Sequence, residues 1–372
     1  MGEAPLAKKK HLLIVMPYDE PTAVIQDLRK SFPDIEVTFY QPQPEPGPAG
    51  DRTHAGFRVP KELWEKATIL ATTWNIPNPK DVPRLELLHL LTAGADHIID
   101  HPIITDTDIT ITTSSGIHGP PMAEWTVMNW LVAWRRYNLT YEAQKRHKWT
   151  ETREFLGSLQ DHVGKRVGIL GYGSIGRQIA RVAVAMGMTV YAYTASPRHT
   201  PKSRRDTGYI VPGTGDPEGT LPVSWHHGHS KAALHSFLSL DLDHLVICLP
   251  LTPQTTHLLG AEEYSILSSH CTRPGRKPYL TNISRGKTID QDALIVSLKS
   301  GELSGAALDV TDPEPLPKDH PLWDAPNLQL SPHISSLGIE YIPRSLDVLK
   351  VNLGRMEKGE KLINVFERRK GY

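Results

Sequence analysis

The sequence predicts an α/β protein of two domains, each built on a parallel sheet. Its 372 residues are enough for two domains of ordinary size. Short apolar runs alternate with helical patterns along most of the chain, which is typical of parallel strands joined by helices. Near the middle, an apolar run at residues 167–170 leads into a G-x-G-x-x-G motif and then into a helical pattern.

The glycine-rich motif predicts a dinucleotide-binding βαβ unit. It consists of Gly171, Tyr172, Gly173, Ser174, Ile175 and Gly176, followed by a helix at Arg177–Met186 and a second strand at Thr189–Tyr193. Gly171 permits a tight turn, Gly173 lets the backbone approach a pyrophosphate, and Gly176 lets helix and strand pack closely. The free N–H groups and the positive dipole end of the helix N-terminus suit the phosphates.

The N-terminal third predicts a second α/β sheet, without a glycine motif. Strands are predicted at residues 11–16, 35–40, 69–73, 87–91 and 109–113, with a helix at 22–30. Gln41–Gly50 is a predicted surface loop, because its repeated prolines forbid both a helix and a central strand.

The rest of the chain predicts one long helix and the remainder of the nucleotide domain. Residues 122–147 have a helical pattern rich in tryptophan, which suits a crossover, an oligomer contact or both. Further strands are predicted at Leu245–Leu249, Pro278–Ile283, Ala306–Val310 and Asn327–Leu330. Helices are predicted at Lys231–Leu238, Ala261–Leu267, Asp290–Ser300 and, starting just after Pro343, at Arg344–Arg355.

Two segments have the composition of insertions. Ser196–His229 is rich in Pro, Gly, His and Arg and is longer than most α/β connections, and residues 269–277 form a shorter basic loop. The histidines within Trp225–His229 are candidate metal ligands. Because no cysteine or carboxylate lies nearby at zinc-like spacing, we favour solvated loop histidines and predict no metal site.

Composition argues against several classes of protein. Asp and Glu total 41 and so do Lys and Arg, which disfavours nucleic acid or an anionic membrane as the main partner. No apolar segment is long enough to span a bilayer. The two cysteines, Cys248 and Cys271, form neither a disulfide scaffold nor a zinc site. We therefore expect a soluble, cytoplasmic protein.

Three predicted strand ends carry residues suited to catalysis. They are Arg285, then Glu314 in a proline-rich loop that begins near Asp309, and finally His333. Each alone has an ordinary explanation, as a surface ion pair, a turn residue or a structural histidine. Together they form a plausible set: histidine donates a proton near neutral pH, a carboxylate orients it, and arginine anchors a substrate carboxylate.

The motifs, in this order, resemble those of the D-isomer-specific 2-hydroxyacid dehydrogenase family, in particular its glyoxylate/hydroxypyruvate reductases. The resemblance covers nearly the whole chain and rests on Thr92–Asp96, Gly171–Gly176, Leu249–Thr255, Asn282–Gly286, Ala307–Pro315 and Ser331–Ser336. It implies two Rossmann-like or flavodoxin-like domains with parallel sheets and an active-site cleft between them. The substrate-binding domain would comprise residues 1–118 and 339–372, and the NAD(P)-binding domain residues 119–338. It also implies a homodimer that uses the helix at 122–147.

The resemblance implies a role for each site residue. His333 would protonate the carbonyl oxygen of a 2-oxoacid, Glu314 would pair with His333, and Arg285 would bind the substrate carboxylate. Ala93, Gly94 and Ala95 would complete the carboxylate site, and Asp309 would hold the nicotinamide carboxamide. The predicted cofactor contacts also include Leu249, Pro250, Thr255, Ile283, Ser284, His333 and Ser335, together with Thr194, Ser196 and Arg198 at the end of the second motif strand.

The end of the second motif strand favours NADP(H) over NAD(H). NAD enzymes usually carry an acidic residue there for the ribose 2′-hydroxyl, and Tyr191–Arg198 contains none. Ser196 and Arg198, helped by Arg204 and Arg205, suit a 2′-phosphate. The alternative is that Arg198 is an ordinary solvated residue.

The competing functions are less well supported by the sequence. A nucleotide-sensing corepressor of the same fold is the chief alternative, but the chain shows no long partner-binding tail. A formate dehydrogenase would not need the acid His333, and phosphoglycerate oxidation is disfavoured because no regulatory domain follows the last helix. Glyoxylate, hydroxypyruvate or a bulkier 2-oxoacid remain possible substrates, with Trp74 and Leu337 as residues that could shape the pocket.

Overall fold

The computed structural model describes residues 9–42, 58–149, 153, 155, 158–273 and 275–368. The predicted loop at Gln41–Gly50 lies, beyond residue 42, outside these residues. The chain forms two compact units, residues 1–117 with 339–372 and residues 118–338. Each unit has its own parallel sheet, which confirms the predicted α/β class.

The elements of the described residues follow the predicted alternation. The strands are β1 (Lys10–Val15), β2 (Ile35–Tyr40), β3 (Ile69–Thr72), β4 (Leu87–Leu90), β5 (Thr110–Thr113), β6 (Arg166–Leu170), β7 (Thr189–Thr194), β8 (Ser224–His227), β9 (His244–Ile247), β10 (Tyr279–Asn282), β11 (Gly305–Leu308) and β12 (Leu328–Leu330). The helices are α1 (Thr22–Ser31), α2 (Lys61–Lys66), α3 (Pro102–Thr105), α4 (Gly119–Trp134), α5 (Tyr137–Lys145), α6 (Ser174–Ala185), α7 (Pro201–Arg204), α8 (Lys231–Leu238), α9 (Ala261–His270), α10 (Gln291–Ser300) and α11 (Tyr341–Glu357).

The first unit is a five-stranded sheet in the order β2-β1-β3-β4-β5, covered on both faces. Alternate residues of β1 enter different apolar clusters: Leu12 packs with Leu346 of α11, and Leu13 packs with Ile103 of α3. Successive side chains of a strand point to opposite faces, so a parallel strand buried on both sides is a continuous apolar run. This is why β1 is recognisable in the sequence.

The second unit is a seven-stranded parallel sheet in the order β12-β11-β10-β9-β6-β7-β8. Strand β6 pairs with β7 on one side and with β9 on the other, so the strand order reverses at β6. In sheets of this kind, ligands bind outside the carboxyl ends of the strands at the reversal point. The glycine motif begins at Gly171, directly after β6.

Residues 122–147 form two helices, so the prediction of one long helix is wrong. Helix α4 ends at Trp134 and α5 begins at Tyr137, because Arg136 between them adopts a left-handed conformation with φ of 52°. Helix α4 buries three tryptophans, whereas Ala143 is the one fully buried residue of α5. The break therefore separates a core helix from a helix that lies largely at the surface of its unit.

Two other predictions need correction. Ser196–His229 is not only loop, because it contains α7 and the edge strand β8, which pairs with β7. Helix α11 begins before Pro343 rather than after it. Proline is tolerated there because the first N–H groups of a helix have no partner within the helix. No helix among the described residues has the length and apolarity that a membrane span requires.

Candidate active site

The loops after β10, β11 and β12 bring the three predicted catalytic side chains together. These strands are parallel neighbours, so their carboxyl ends lie side by side at one edge of the sheet. His333 Nδ1 lies 2.9 Å from Glu314 Oε2, and both side chains are partly exposed to solvent. Arg285 is near enough for its charge to act on both groups.

The loop after β11 fixes the carboxylate of Glu314. The backbone N–H of Thr311 donates to Glu314 Oε1 at 2.9 Å, which leaves Oε2 to face His333. Gln291 of α10 holds the same loop twice, since its amide donates to the carbonyl of Asp312 and accepts from the N–H of Asp312. The two X–Pro peptides of this loop, after Asp312 and after Glu314, are cis.

Asp309 holds the turn that carries His333. The backbone of His333 is left-handed, with φ of 57°, and its N–H donates to the carbonyl of Asp309 at 2.8 Å. The buried carboxylate of Asp309 accepts the N–H groups of Ile334 and Ser335, each at 2.9 Å, and the hydroxyl of Ser331. This positioning function could not be predicted from the sequence, because no local pattern links the end of β11 to the turn after β12.

The protonation states of His333 and Glu314 are coupled. The hydrogen bond to Glu314 is the largest effect on His333 and raises its pKa, against the opposing effect of burial. Burial would raise the pKa of Glu314, but hydrogen bonds from His333 and Thr311 and the charges of His333 and Arg285 outweigh it, so the pKa is lowered. A carboxylate can only accept, so Nδ1 carries the hydrogen and Nε2 remains for a ligand.

Gly286 lets Arg285 approach the Glu314 loop. A Cβ on Gly286 would overlap the backbone carbonyl of Thr311, so a larger residue would push the two loops apart. The Arg285 carbonyl accepts from the Asn282 side chain at 3.0 Å, and its guanidinium donates to the carbonyl of Ser284 at 2.8 Å. These contacts anchor a half-buried arginine at the end of β10.

The glycine motif forms an open cradle at the start of α6. Gly171 has φ of 94°, and a Cβ there would lie 2.6 Å from the carbonyl oxygen of Cys248. A Cβ on Gly173 would meet nothing within 4 Å, and α6 has no side-chain cap at its N-terminus. Uncapped N–H groups beside open space are the arrangement that binds phosphate.

Comparison with known proteins identifies the family. The sequence model of the family described as D-isomer specific 2-hydroxyacid dehydrogenase, NAD binding domain, matches residues 127–211 and 221–335. The chain belongs to this family. Its members are oxidoreductases that act on CH–OH groups with NAD(P), and the chain is therefore an enzyme of this type.

Three relatives show how far the similarity extends. Glyoxylate/hydroxypyruvate reductase A of Photorhabdus laumondii is 27% identical over 369 residues, which cover 97% of this chain and 99% of that protein. The glyoxylate reductase of Korarchaeum cryptofilum is 30% identical over 279 residues, 75% of each chain. The structure of a family member from Xanthobacter autotrophicus, solved with NADPH, is 26% identical, covers 98% of this chain and 100% of that chain, and superposes with a TM-score of 0.71.

Most of the cofactor contacts implied by the family follow strands of the second unit. Leu249, Pro250 and Thr255 follow β9, Ile283 and Ser284 follow β10, Asp309 follows β11, and His333 and Ser335 follow β12. The Ser335 hydroxyl is buried and has no hydrogen-bond partner within the described residues. A buried orphan hydroxyl is unfavourable unless a ligand or water meets it. Ser335 and the open glycine cradle therefore fit a dinucleotide.

Other implied contacts are already engaged within the protein. The Tyr172 hydroxyl donates to Asp216 at 2.9 Å, so only the backbone of Tyr172 is left for a cofactor. The Thr194 hydroxyl donates to the carbonyl of Ser196, whose side chain is exposed. Among the arginines named for the 2′-phosphate, Arg198 and Arg204 lie in one loop after β7, whereas Arg205 pairs with Glu218 at 2.7 Å.

The implied carboxylate loop lies in the first unit. Ala93, Gly94 and Ala95 follow β4, and the Thr92 hydroxyl braces their turn by donating to the carbonyl of Gly94 at 2.8 Å. Trp74, after β3, packs edge-on against His97 with ring centroids 4.9 Å apart. Both loops follow the carboxyl ends of strands in their own sheet. Their contact with substrate stays a prediction.

Proposed function

We propose that this enzyme is an NADPH-dependent reductase that converts a small 2-oxoacid into the D-2-hydroxyacid. The pairing of His333 with Glu314, beside Arg285, carries the proposal. This set supplies a proton donor with a raised pKa, a carboxylate that orients it and a cation for the substrate carboxylate. The glycine cradle lies at the same edge of the same sheet.

Each residue then has a definite task. Hydride for the carbonyl carbon would come from the nicotinamide when the cofactor is bound. His333 Nε2 donates a proton to the carbonyl oxygen and takes it back in the reverse reaction. Glu314 keeps the imidazole in the required tautomer and orientation, and Arg285 binds the substrate carboxylate and polarises the carbonyl. The N–H groups of Gly94 and Ala95 are proposed to complete the carboxylate site, and Asp309 to hold the nicotinamide carboxamide.

Glyoxylate and hydroxypyruvate are the proposed substrates. The two relatives that support this choice are named as reductases of glyoxylate or of both compounds. For the cofactor, the end of β7 has no acidic residue and carries Ser196 and Arg198, which favours a 2′-phosphate. The Xanthobacter autotrophicus relative was solved with NADPH, which agrees with that choice.

The test is steady-state oxidation of NADPH and of NADH with glyoxylate, hydroxypyruvate and phenylpyruvate. We expect kcat/KM to be higher with NADPH than with NADH, and higher with the two small acids. His333→Gln should lower kcat by roughly 100-fold or more while NADPH still binds, and exposed His229→Gln is the control. Tight NADPH binding without turnover of any 2-oxoacid would instead support a nucleotide-sensing protein.

We further propose that a second copy of the chain covers an exposed apolar surface on α4 and α5. The exposed residues are Met128, Leu131, Tyr137, Leu139 and Tyr141. The rings of Tyr137 and Tyr141 stack with centroids 5.9 Å apart, and exposed apolar groups of this kind often mark an interface. Light scattering should give twice the chain mass for the native protein and the single mass for Leu139→Glu, while Val296→Glu on α10 should stay dimeric. A native monomer would contradict the proposal.

A further inference from the structure

A buried polar cluster joins the glycine-motif helix to the segment after β7. At its centre is Arg177, the residue after the third motif glycine, whose side chain is only 3% exposed. Its guanidinium donates to the carbonyl of Asp216 at 2.5 Å and to the carbonyl of Arg204 at 2.6 Å. Its Nε lies 3.4 Å from the carboxylate of Asp206. One arginine therefore holds three points of a segment that looked like an insertion.

The partners of Arg177 are themselves fixed. The buried carboxylate of Asp216 accepts the Tyr172 hydroxyl at 2.9 Å and the backbone N–H groups of Thr220 and Leu221 at 3.0 and 3.1 Å. The Trp225 ring of β8 packs edge-on against Tyr172, with centroids 4.9 Å apart. Burying a charged guanidinium is costly unless it is paired and hydrogen-bonded. Both terminal nitrogens of Arg177 are hydrogen-bonded and Asp206 supplies the opposite charge, whereas Nε has no hydrogen-bond partner within the described residues.

From Arg177 the contacts continue to the arginines proposed for the 2′-phosphate. Arg204, whose carbonyl Arg177 holds, donates through its own Nε to the carbonyl of Arg198 at 2.9 Å. Arg198 in turn donates to the carbonyl of Ser203 at 2.6 Å, and Thr200 and Ser203 form a capping box at the start of α7. Residues 198–204, which include α7, are thus closed by hydrogen bonds among themselves. Arg177 connects this segment to α6.

The charges of residues 198–204 also favour binding of a 2′-phosphate. Arg177 has an acidic neighbour in Asp206, whereas neither Arg198 nor Arg204 forms an ion pair with a carboxylate in the part of the chain that the structure describes. Their side chains are held by backbone carbonyls, and the Arg204 guanidinium also lies 5.9 Å from the centroid of the Trp225 ring, so no carboxylate among the described residues neutralises either charge. Both residues follow β7, the strand whose end faces the ribose in nucleotide folds.

We propose that Arg177 is a positioning residue for cofactor selection, which holds the 198–204 loop so that Arg198 and Arg204 meet the 2′-phosphate of NADPH. The proposal rests on the NADPH preference proposed above. A lysine has one compact ammonium in place of the planar fork, so it cannot hold two carbonyls and a carboxylate in the same geometry. The segment from Asp206 to Leu221 then serves to bury and satisfy this arginine.

The test compares Arg177→Lys and Arg177→Met with the native enzyme in both cofactors. We expect the ratio of kcat/KM for NADPH to kcat/KM for NADH to fall by roughly 10-fold, the size of losing a charge-assisted contact. The Kd of 2′,5′-ADP should rise in parallel and that of 5′-ADP should rise less. Arg181→Met is the matched control, because Arg181 lies on the same helix and donates only to Gly215 among the described residues; its ratio should not change.

If Arg177 only stabilises the fold, kcat/KM should fall by the same factor with NADPH and with NADH. That result would overturn the proposal. Asp206→Asn removes the charge beside Arg177 without emptying the core, and it should lower the same ratio by a smaller factor even if the Arg177 variants do not fold. A native enzyme without NADPH preference would refute the proposed cofactor use. Native preference that survives in Arg177→Lys and Asp206→Asn would refute only the function of Arg177.

Discussion

At the scale of single residues, the chemistry depends on which partner of the His333–Glu314 pair carries the proton. The N–H of Thr311 donates to Oε1 of Glu314 and fixes the carboxylate, so Oε2 can hold the imidazole in one orientation. The opposite pKa directions of the two groups keep histidine protonated and glutamate ionised over a wider pH range than either would alone. This is the state that a proton donor for carbonyl reduction needs.

Glu314→Gln tests this coupling through pH dependence. Reduction needs protonated His333, so kcat/KM should fall as pH rises through the His333 pKa. The amide of glutamine cannot stabilise an imidazolium as a carboxylate does, so the pKa should drop and the alkaline limb should move down by roughly one pH unit. Profiles of 2-oxoacid reduction from pH 5 to 10 measure this shift.

A control variant separates the local effect from a general one. Glu302→Gln changes a glutamate that precedes β11, at the amino edge of the sheet, where its carboxylate accepts from Ser297. Its alkaline limb should match that of the native enzyme. An unshifted limb in Glu314→Gln would mean that the carboxylate does not set the protonation of His333.

The sequence predicted these three side chains but not what holds them. Arg285, Glu314 and His333 each follow an apolar run, and parallel strands bring such ends together. Asp309 and Arg177 could not be assigned their positioning functions, because most of their partners are backbone groups far along the chain. Contacts to backbone leave no trace in residue type at the partner position.

At the scale of elements, β6 and α6 meet so closely that two motif glycines have different reasons to be small. A Cβ on Gly176 would collide with the carbonyl of Gly171, whereas a Cβ on Gly173 would enter open space at the helix start. Gly176 is therefore needed for close packing of the helix on the strand, and Gly173 for leaving room for a ligand. This distinction is visible in the structure and not in the motif.

Alanine at these two positions should give opposite phenotypes. Gly173→Ala should unfold at the same urea concentration as the native protein but raise KM for NADPH and NADH alike, because the methyl group occupies the cradle. Gly176→Ala should lower the free energy of unfolding by about 1–3 kcal/mol, the usual cost of overpacking. Urea titrations and cofactor KM values measure both. Unchanged KM in Gly173→Ala would place the phosphates elsewhere.

The predicted elements succeeded where burial leaves a pattern in the sequence. Strand β2 and helix α8 have the bounds that the residues predicted, and β9 to β12 differ by one or two residues at their ends. Strand β8 was missed because its sequence, Ser-Trp-His-His, is polar and only partly buried at the sheet edge. The break at Arg136 was missed because a left-handed residue needs no particular residue type to interrupt a helical pattern.

At the scale of the whole molecule, stability should depend on pH through buried histidines in both units. Burial lowers the pKa of His89 in the first unit to about 4, and burial, aided by the charge of Lys165, lowers that of His162 in the second unit to about 4. His244, fully buried beside His162 and Trp134, is also lowered. The ring nitrogens of His162 and His244 have no hydrogen-bond partner within the described residues.

His162→Phe should therefore reduce the acid sensitivity of the second unit. The unfolded chain binds a proton on this histidine near pH 6.5, and the folded chain only near pH 4. The contribution of His162 to the free energy of unfolding is complete above pH 6.5. It decreases by on the order of 2–3 kcal/mol as the pH falls towards 4. Urea midpoints by tryptophan fluorescence at pH 4.5, 5.5 and 7.5 should vary less in the variant. His229→Phe, at an exposed position, should follow the native protein.

The strand order of the second unit also has an evolutionary consequence. The groups proposed to bind and protonate the substrate follow β10, β11 and β12, whereas those proposed to choose the nucleotide follow β7, with β9 and β6 between them. At about 4.8 Å per strand, β7 and β10 are roughly 14 Å apart, a distance at which substitutions usually act independently. Natural selection can therefore exchange one nucleotide for the other at one end of the sheet while the proton chemistry at the other end is inherited unchanged.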